Sequence, residues 1–357
     1  MKSLLAGSYL IILSVLAAFL VLGQRGLSAE GPGGRGEFQS DRAMEHLRSI
    51  DALQRGAGGR GSGTPGNALV REYVRGELAK IGLKVEEQPF SDMLGGSMVN
   101  IVGALPGERD ESILVCAHHD AEGNGPAAVE GMGGLAVLLE LARSSAAAAR
   151  TWRGEGHPGR LRTLLFASWD GAAFGCAGST RYIETIPASA KRKLRAVVSL
   201  DSVGWKDGTA VLQVMPYRDR LARGSAAPDW LVTRLSNAAR SRGVSLPVGD
   251  RWLGLVYQVL VRTVDIGDYS DDRPFLAKGV PAVFISNFSL THSYPYSGTP
   301  ADTIDQIGAA QLAAVGRSVE AALLDLAATE TIPAGEANYL VLRPFSLRTF
   351  RLTGDQM

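Results

Sequence analysis

The sequence predicts an α/β fold, a three-layer α/β/α domain around a mostly parallel mixed central sheet. Three observations carry this. The apolar runs at 113–117, 163–169, 196–200 and 281–286 are continuous, as in strands buried on both faces. Segments with helical spacing lie between them. Two of the runs stop abruptly at polar residues, at His118, His119 and Asp120 and again at Asp201. Open α/β sheets build their sites at such C-terminal strand ends.

The elements follow in order. Met1 and Lys2 precede an apolar run, Leu4 to Leu22, broken by Gly7, Ser8 and Ser14. That length is long for a signal-peptide core and near that of a single span of about 20 residues. Leu27, Ser28 and Ala29 make an indifferent cleavage site. Residues 1–23 are therefore read as a membrane anchor or a signal sequence, with the folded part outside the cytoplasm, and 24–37 as a glycine-rich flexible linker. Asp41 to Leu53 carries Met44, Leu47 and Ile50 on one helical face. Asn67 to Ile81 carries Val70, Val74, Leu78 and Ile81, and Gly82 stops it. Leu83–Phe90 and Ser97–Ala104 read as strands, and Ile113–Ala117 as the central one. Leu135, Leu138, Leu139 and Ala142 mark a helix after a glycine-rich loop.

Ser144 to Arg162 reads as a surface excursion, with His157 exposed within it. Further strands are expected at 163–169, 196–200, 210–215 and 281–286, with Asp170 to Gly178 as an exit loop. Pro228 and Asp229 open a helix, as proline in a first turn allows. Gln311 to Ala327 is a last amphipathic helix. The main domain is read as 38–327, and the tail 328–357 adds a strand around 339–342.

Bulk properties narrow the function classes. The 357 residues carry a net charge of +1, with 7% aromatic residues and no basic stripe, so no nucleic-acid partner is expected. The 43 glycines and 16 prolines show no fixed period. Cys116 and Cys176 cannot form a disulfide framework. They read as buried free thiols, with a single bridge allowed by export. Only five histidines, 46, 118, 119, 157 and 292, are available to any histidine-dependent site. Gly131 to Gly134 lacks the Lys-Ser/Thr ending of a phosphate loop.

The pieces AHHDA, LLELAR, LLFASWDGAAFGCAGS, SLDSVG, SDDRPFLAKGVPAVF and YSGTPADTID occur in this order. Together they resemble the zinc aminopeptidase and glutamate carboxypeptidase family, peptidase family M28, over roughly 38–327. SGTPGNALVREYVRGELAKIGLKVE fits the same resemblance. It implies two zinc ions sharing a bridging carboxylate, which activate a water and polarise a carbonyl, and a glutamate that moves the water's proton.

The carry-over is partial. His118 falls on a metal ligand and Asp120 on the aspartate that orients it. His119 falls on the variable residue between them. Asp201 falls on a later ligand, and Glu130 on the bridging aspartate, with one methylene more. Ala172 stands where the proton-transferring glutamate is expected, Ala173 at a glutamate ligand, and Gly298 at the final histidine.

The resemblance therefore implies a half site. His118, Glu130 and Asp201 can hold one zinc ion, and no second zinc is expected. The expectation is a non-catalytic protein that binds a protein or peptide-like ligand. The alternative is a zinc-dependent exopeptidase with a rebuilt site, in which His292 substitutes as ligand and Asp271, or its neighbours Asp268 and Asp272, serves as base. Whether His118, His119 and Asp120 hold a metal or form a hydrogen-bonded remnant stays open at this level.

Overall fold

The computed structural model describes residues 37–333 except 92–94, 122–124, 156–159, 215–216, 219–223, 226, 250–269 and 289–292. The apolar N-terminal run, His157, Asp268, His292 and the tail strand expected at 339–342 lie outside these residues.

Helices α1 (Ser40–Gly56) and α2 (Pro65–Lys80) come first. Thr64 caps α2 by accepting from the Asn67 N–H at 3.2 Å, and Pro65 takes the first turn, where its missing N–H costs nothing. Strands β1 (Lys84–Ser91), β2 (Ser97–Leu105) and β3 (Arg109–His118) follow. Then come a π-type turn at Ala128–Met132, helix α3 (Gly133–Gly154) and strand β4 (Arg162–Trp169). Helices α4 (Ala177–Thr185) and α5 (Ala188–Lys193) lead into β5 (Leu194–Leu200). Strand β6 (Val211–Gln213) precedes a small hairpin, β7 (Tyr217–Arg218) with β8 (Gly224–Ser225). The chain continues through α6 (Asp229–Ser241), α7 (Arg273–Ala277), β9 (Ala282–Ser286) and α8 (Ala309–Ala328).

Seven strands form one sheet in the order β1-β2-β4-β3-β5-β9-β6. The four central strands β4, β3, β5 and β9 run parallel, and β1, β2 and β6 pair antiparallel at the edges. Alternate side chains of β3 enter two separate cores. Ile113, Val115 and Ala117 join the larger one, with α1, α2, α3 and α8. Leu114 and Cys116 join a smaller one with Trp169, Tyr182, Ile183 and Phe275. This is the three-layer arrangement expected, and it explains why the central strands read as unbroken apolar runs.

One expectation is corrected. The alanine-rich stretch after Arg143 is not a surface excursion, because α3 continues to Gly154 and buries Ser144, Ser145, Ala146, Ala148 and Ala149. Alanine is the best helix former and its small side chain permits close packing. Residues 128–154 are long and apolar enough to cross a membrane, but 89% of that window is buried within the fold, which marks a core helix. The entering chain is held at the same place. Buried Glu320 and Glu140 accept from the Glu37 and Gln39 N–H groups at 3.0 and 2.9 Å. Phe38 packs on Gly316, where any Cβ would meet its ring at 2.1 Å.

Candidate metal centre

The site forms where β3 and β5 end side by side. Their register, Cys116 opposite Ser199, brings His118 and Asp201 to one edge of the sheet. His118 Nδ1 lies 2.9 Å from the Asp120 carbonyl oxygen, and Nε2 lies 3.2 Å from Asp201 Oδ1. Asp201 also accepts from the N–H groups of Ser202 at 2.5 Å and Gly131 at 3.1 Å. Burial opposes charge on the His118 ring, but Asp201 and Asp120 outweigh it and hold its pKa well above the ordinary value. Burial likewise opposes charge on Asp201, and His118 together with the two N–H donors brings its pKa below the usual range. Both shifts favour the charged forms of the pair.

Asp120 is fully buried beneath this pair. Its Oδ2 accepts from the Ala172 N–H at 2.9 Å, and its Oδ1 has no hydrogen-bond partner, 3.5 Å from His118 Nδ1. Asp120 thus ties the His118 loop to the 3₁₀ turn Ala172–Phe174. His119 turns elsewhere. Its Nδ1 meets Ser168 Oγ at 2.9 Å and its Nε2 lies 3.7 Å from Asp170 Oδ2. Asp170 accepts from Ser62 Oγ, Asn67 Nδ2 and the Val99 N–H. Burial opposes its charge, yet His119 and these donors bring its pKa down to about 2. His119 and Asp170 are a buried fastening between strands and α2.

Glu130 sits in the π-type turn, where it and Gly131 leave helical geometry, Gly131 at φ +94. Its Oε2 accepts from Ser297 Oγ at 2.6 Å and from the Gly298 N–H at 2.8 Å. Asp302 reaches back from the same loop. It accepts from the Val129 N–H at 2.8 Å, the Glu130 N–H at 3.1 Å and the Tyr294 hydroxyl at 2.7 Å.

Arg60 is a component that sequence reading missed. It lies in the loop between α1 and α2 and is only 1% exposed. Its guanidinium donates to Gln54 Oε1, to the Pro126 carbonyl at 2.6 Å and to the Ala127 carbonyl at 3.1 Å. Burial pushes its pKa down to about 10 despite the charges of Asp120, Asp302, Glu130 and Asp201. Nothing in a glycine-flanked arginine separates such a buried cation from a solvated one. Gly131 is required beside it, since a Cβ there would lie 2.8 Å from His118 Cε1 and 2.9 Å from Arg60 Nη2.

The remaining predicted positions fall as follows. Ala172 and Ala173 lie in the 3₁₀ turn, with Ala173 exposed. Gly298 has φ +68 and open space where a side chain would project. None of the three supplies a donor atom beyond the backbone. Asp271 is buried and accepts from Ser179 Oγ at 2.6 Å. Burial pushes its carboxyl up to about 6, and the charges of His118, Asp201 and Asp120 are felt there. Ser270 Oγ donates to Asp272 Oδ1 at 2.5 Å. Cys116 and Cys176 are buried free thiols.

The donor set fits a metal only in part. Neighbouring ligands of a tetrahedral zinc with bonds of ~2.0–2.1 Å stand ~3.3 Å apart, and His118 Nε2 and Asp201 Oδ1 stand at 3.2 Å. Glu130, the third expected ligand, turns its Oε2 to Ser297 and Gly298. Among the described residues no three of His, Cys, Asp and Glu gather as a metal-holding group.

A mixed α/β/α sheet that carries His-x-Asp at the end of one central strand and Asp after its parallel neighbour is a zinc-exopeptidase-type domain. The family model for peptidase family M28 matches residues 100–323, and the chain belongs to that family. Transferrin receptor protein 1 of Gallus gallus is 28% identical over 221 residues, which cover 61% of this chain and 26% of the relative. This chain thus spans about a quarter of the length of such curated relatives. Among solved structures, a Zn-dependent exopeptidase from Parabacteroides distasonis aligns with TM-score 0.61 and 20% identity, covering 81% of this chain and 99% of that one. Porphyromonas gingivalis glutaminyl cyclase aligns with TM-score 0.62 and 20% identity, covering 81% and 98%. At these identities the structures show the fold. Family and zinc-dependent neighbours together make zinc the metal to test.

Proposed function

We infer that this protein is a non-catalytic member of its family that acts by binding a protein or peptide-like ligand, exported or held at a membrane by its N-terminal segment. One observation carries the reading. At the three positions where the resemblance expects a proton-shuttling glutamate, a glutamate ligand and a histidine ligand, the chain has Ala172, Ala173 and Gly298, and methyl groups and bare backbone neither ligate nor move protons. A zinc ion, if bound, would be held by His118 and Asp201 and would supply Lewis acidity. None of these three positions carries a group that could turn that acidity into hydrolysis. His118 keeps its orientation through Asp120, and Asp120 in turn is occupied by the Ala172 N–H. The test is the purified chain with added zinc against a panel of aminoacyl and acyl-glutamate substrates. No turnover is expected; turnover abolished by His118→Ala would sink the reading.

A second reading is supported by Asp271. A buried carboxyl raised to about 6 is poised for general-base work near neutral pH, so a rebuilt single-metal hydrolase would use it in place of the missing glutamate. Its hydrogen bond from Ser179 argues against this. Turnover lost in Asp271→Asn, with zinc still bound, would favour this reading over the first.

A further inference from the structure

Glu130 and Asp302 form a reciprocal clasp between two segments far apart in sequence. From the turn, the Glu130 carboxylate takes the Ser297 hydroxyl and the Gly298 N–H. From the loop, the Asp302 carboxylate takes the Val129 and Glu130 N–H groups, and the Asp302 carbonyl takes the Ala128 N–H at 3.1 Å. Each segment supplies the acceptor that the other needs. The turn needs it because the N–H groups of its first residues have no preceding carbonyl within the turn to bond. The loop needs it because Gly298, at φ +68, has no side chain to hold it. Glu130 is long enough to reach across, whereas the shorter aspartate expected at this position would fall about one methylene short.

We propose that Glu130 is a latch and not a metal ligand: its carboxylate fastens the 294–302 loop to the 128–132 turn directly, making the cross-link that a shared metal would otherwise make. The proposal does not rest on the protein being non-catalytic. A metal on His118 and Asp201 is compatible with it, since neither residue takes part in the clasp.

Hydrogen–deuterium exchange on the full chain tests this, comparing wild type with Glu130→Ala and Ser297→Ala. Glu130→Ala is expected to speed amide exchange across 294–302 about tenfold, as loss of a charge-assisted fastening allows, and Ser297→Ala by a smaller factor. Strands β3 and β5 keep wild-type exchange. In parallel, each protein is titrated with zinc alone, and wild type and Glu130→Ala are expected to take up the same amount. Unchanged loop exchange in both variants overturns the proposal, and so does zinc that binds wild type and is lost in Glu130→Ala. Should Glu130→Ala fail to fold, Ser297→Ala carries the exchange measurement and Glu130→Gln the zinc measurement. Turnover of a peptide substrate would refute the non-catalytic reading and leave the latch standing.

Discussion

His118 Nε2 and Asp201 Oδ1, two prospective metal ligands, stand 3.2 Å apart, within hydrogen-bond reach, at the ends of adjacent parallel strands. A proton and a zinc ion compete for the same two atoms, so pH, stability and metal uptake are coupled there.

The pair's contribution to stability has a defined pH window. His118 has a folded pKa well above its ordinary 6.5, so its contribution is fully present below about pH 6.5 and is lost as pH rises through the raised folded value. Asp201 has a depressed folded pKa, so its contribution is present above about pH 4 and is lost as pH falls through the folded value. The thermal midpoint of wild type should exceed that of His118→Asn most between these limits. The gap should narrow at alkaline pH; scanning calorimetry across pH 4 to 10 checks this, and a gap that widens with pH would contradict it.

Introducing the side chains that the family resemblance expects should expose their coupling. Ala172→Glu, Ala173→Glu and Gly298→His together should raise zinc uptake. Turnover should stay at background until Glu130→Asp is added, because Glu130 otherwise keeps the 294–302 loop fastened to the turn. Space exists at Gly298 for the histidine, although its positive φ costs a non-glycine residue ~1 kcal/mol. Substrate turnover in the triple and quadruple variants is the measurement.

Gly131→Ala should damage both stability and the His118–Asp201 contact. The new Cβ would meet His118 Cε1 at 2.8 Å and Arg60 Nη2 at 2.9 Å, from a backbone at φ +94. A cost of about 2–4 kcal/mol is expected from strain and overpacking together. Chemical denaturation measures it, and the His118 ring resonances should shift in NMR spectra.

Arg60→Met should destabilise the chain by about 3–5 kcal/mol, the range for removing one partner from a buried charge network. The carbonyls of Pro126 and Ala127 would lose their donor, and four carboxylates would lose a nearby cation. Arg60→Lys should recover only part of this, because one ammonium cannot reproduce the planar fork. Equilibrium unfolding of the two variants at equal pH is the check.

Much of the fold was legible in the chain. Unbroken apolar runs at 113–117 and 163–169 announced strands covered on both faces, and the switch to His118 and Asp201 marked the strand ends at which these two side chains meet. The alanine-rich end of α3 was misread because small residues carry little hydrophobic signal even where they are wholly buried. The α4 and α5 helices, of 9 and 6 residues, are too short to declare a helical period in the sequence. Within the site, the identities at Ala172, Ala173 and Gly298 are read directly from the sequence, since residue type needs no geometry to be recognised.

The sequence by itself determined the layered α/β/α class and the residue types at each candidate site position, because these follow from local pattern and residue identity. Only the tertiary structure decided which polar groups meet. Glu130 reads from sequence as a metal ligand, and only the fold shows its Oε2 accepting from the Gly298 N–H, 168 residues away. Arg60 could be read as a loop cation until it was seen buried among carboxylates. Hydrogen bonds and charge pairs between distant segments depend on distances of tenths of an ångström, and those are set by packing that no local pattern encodes.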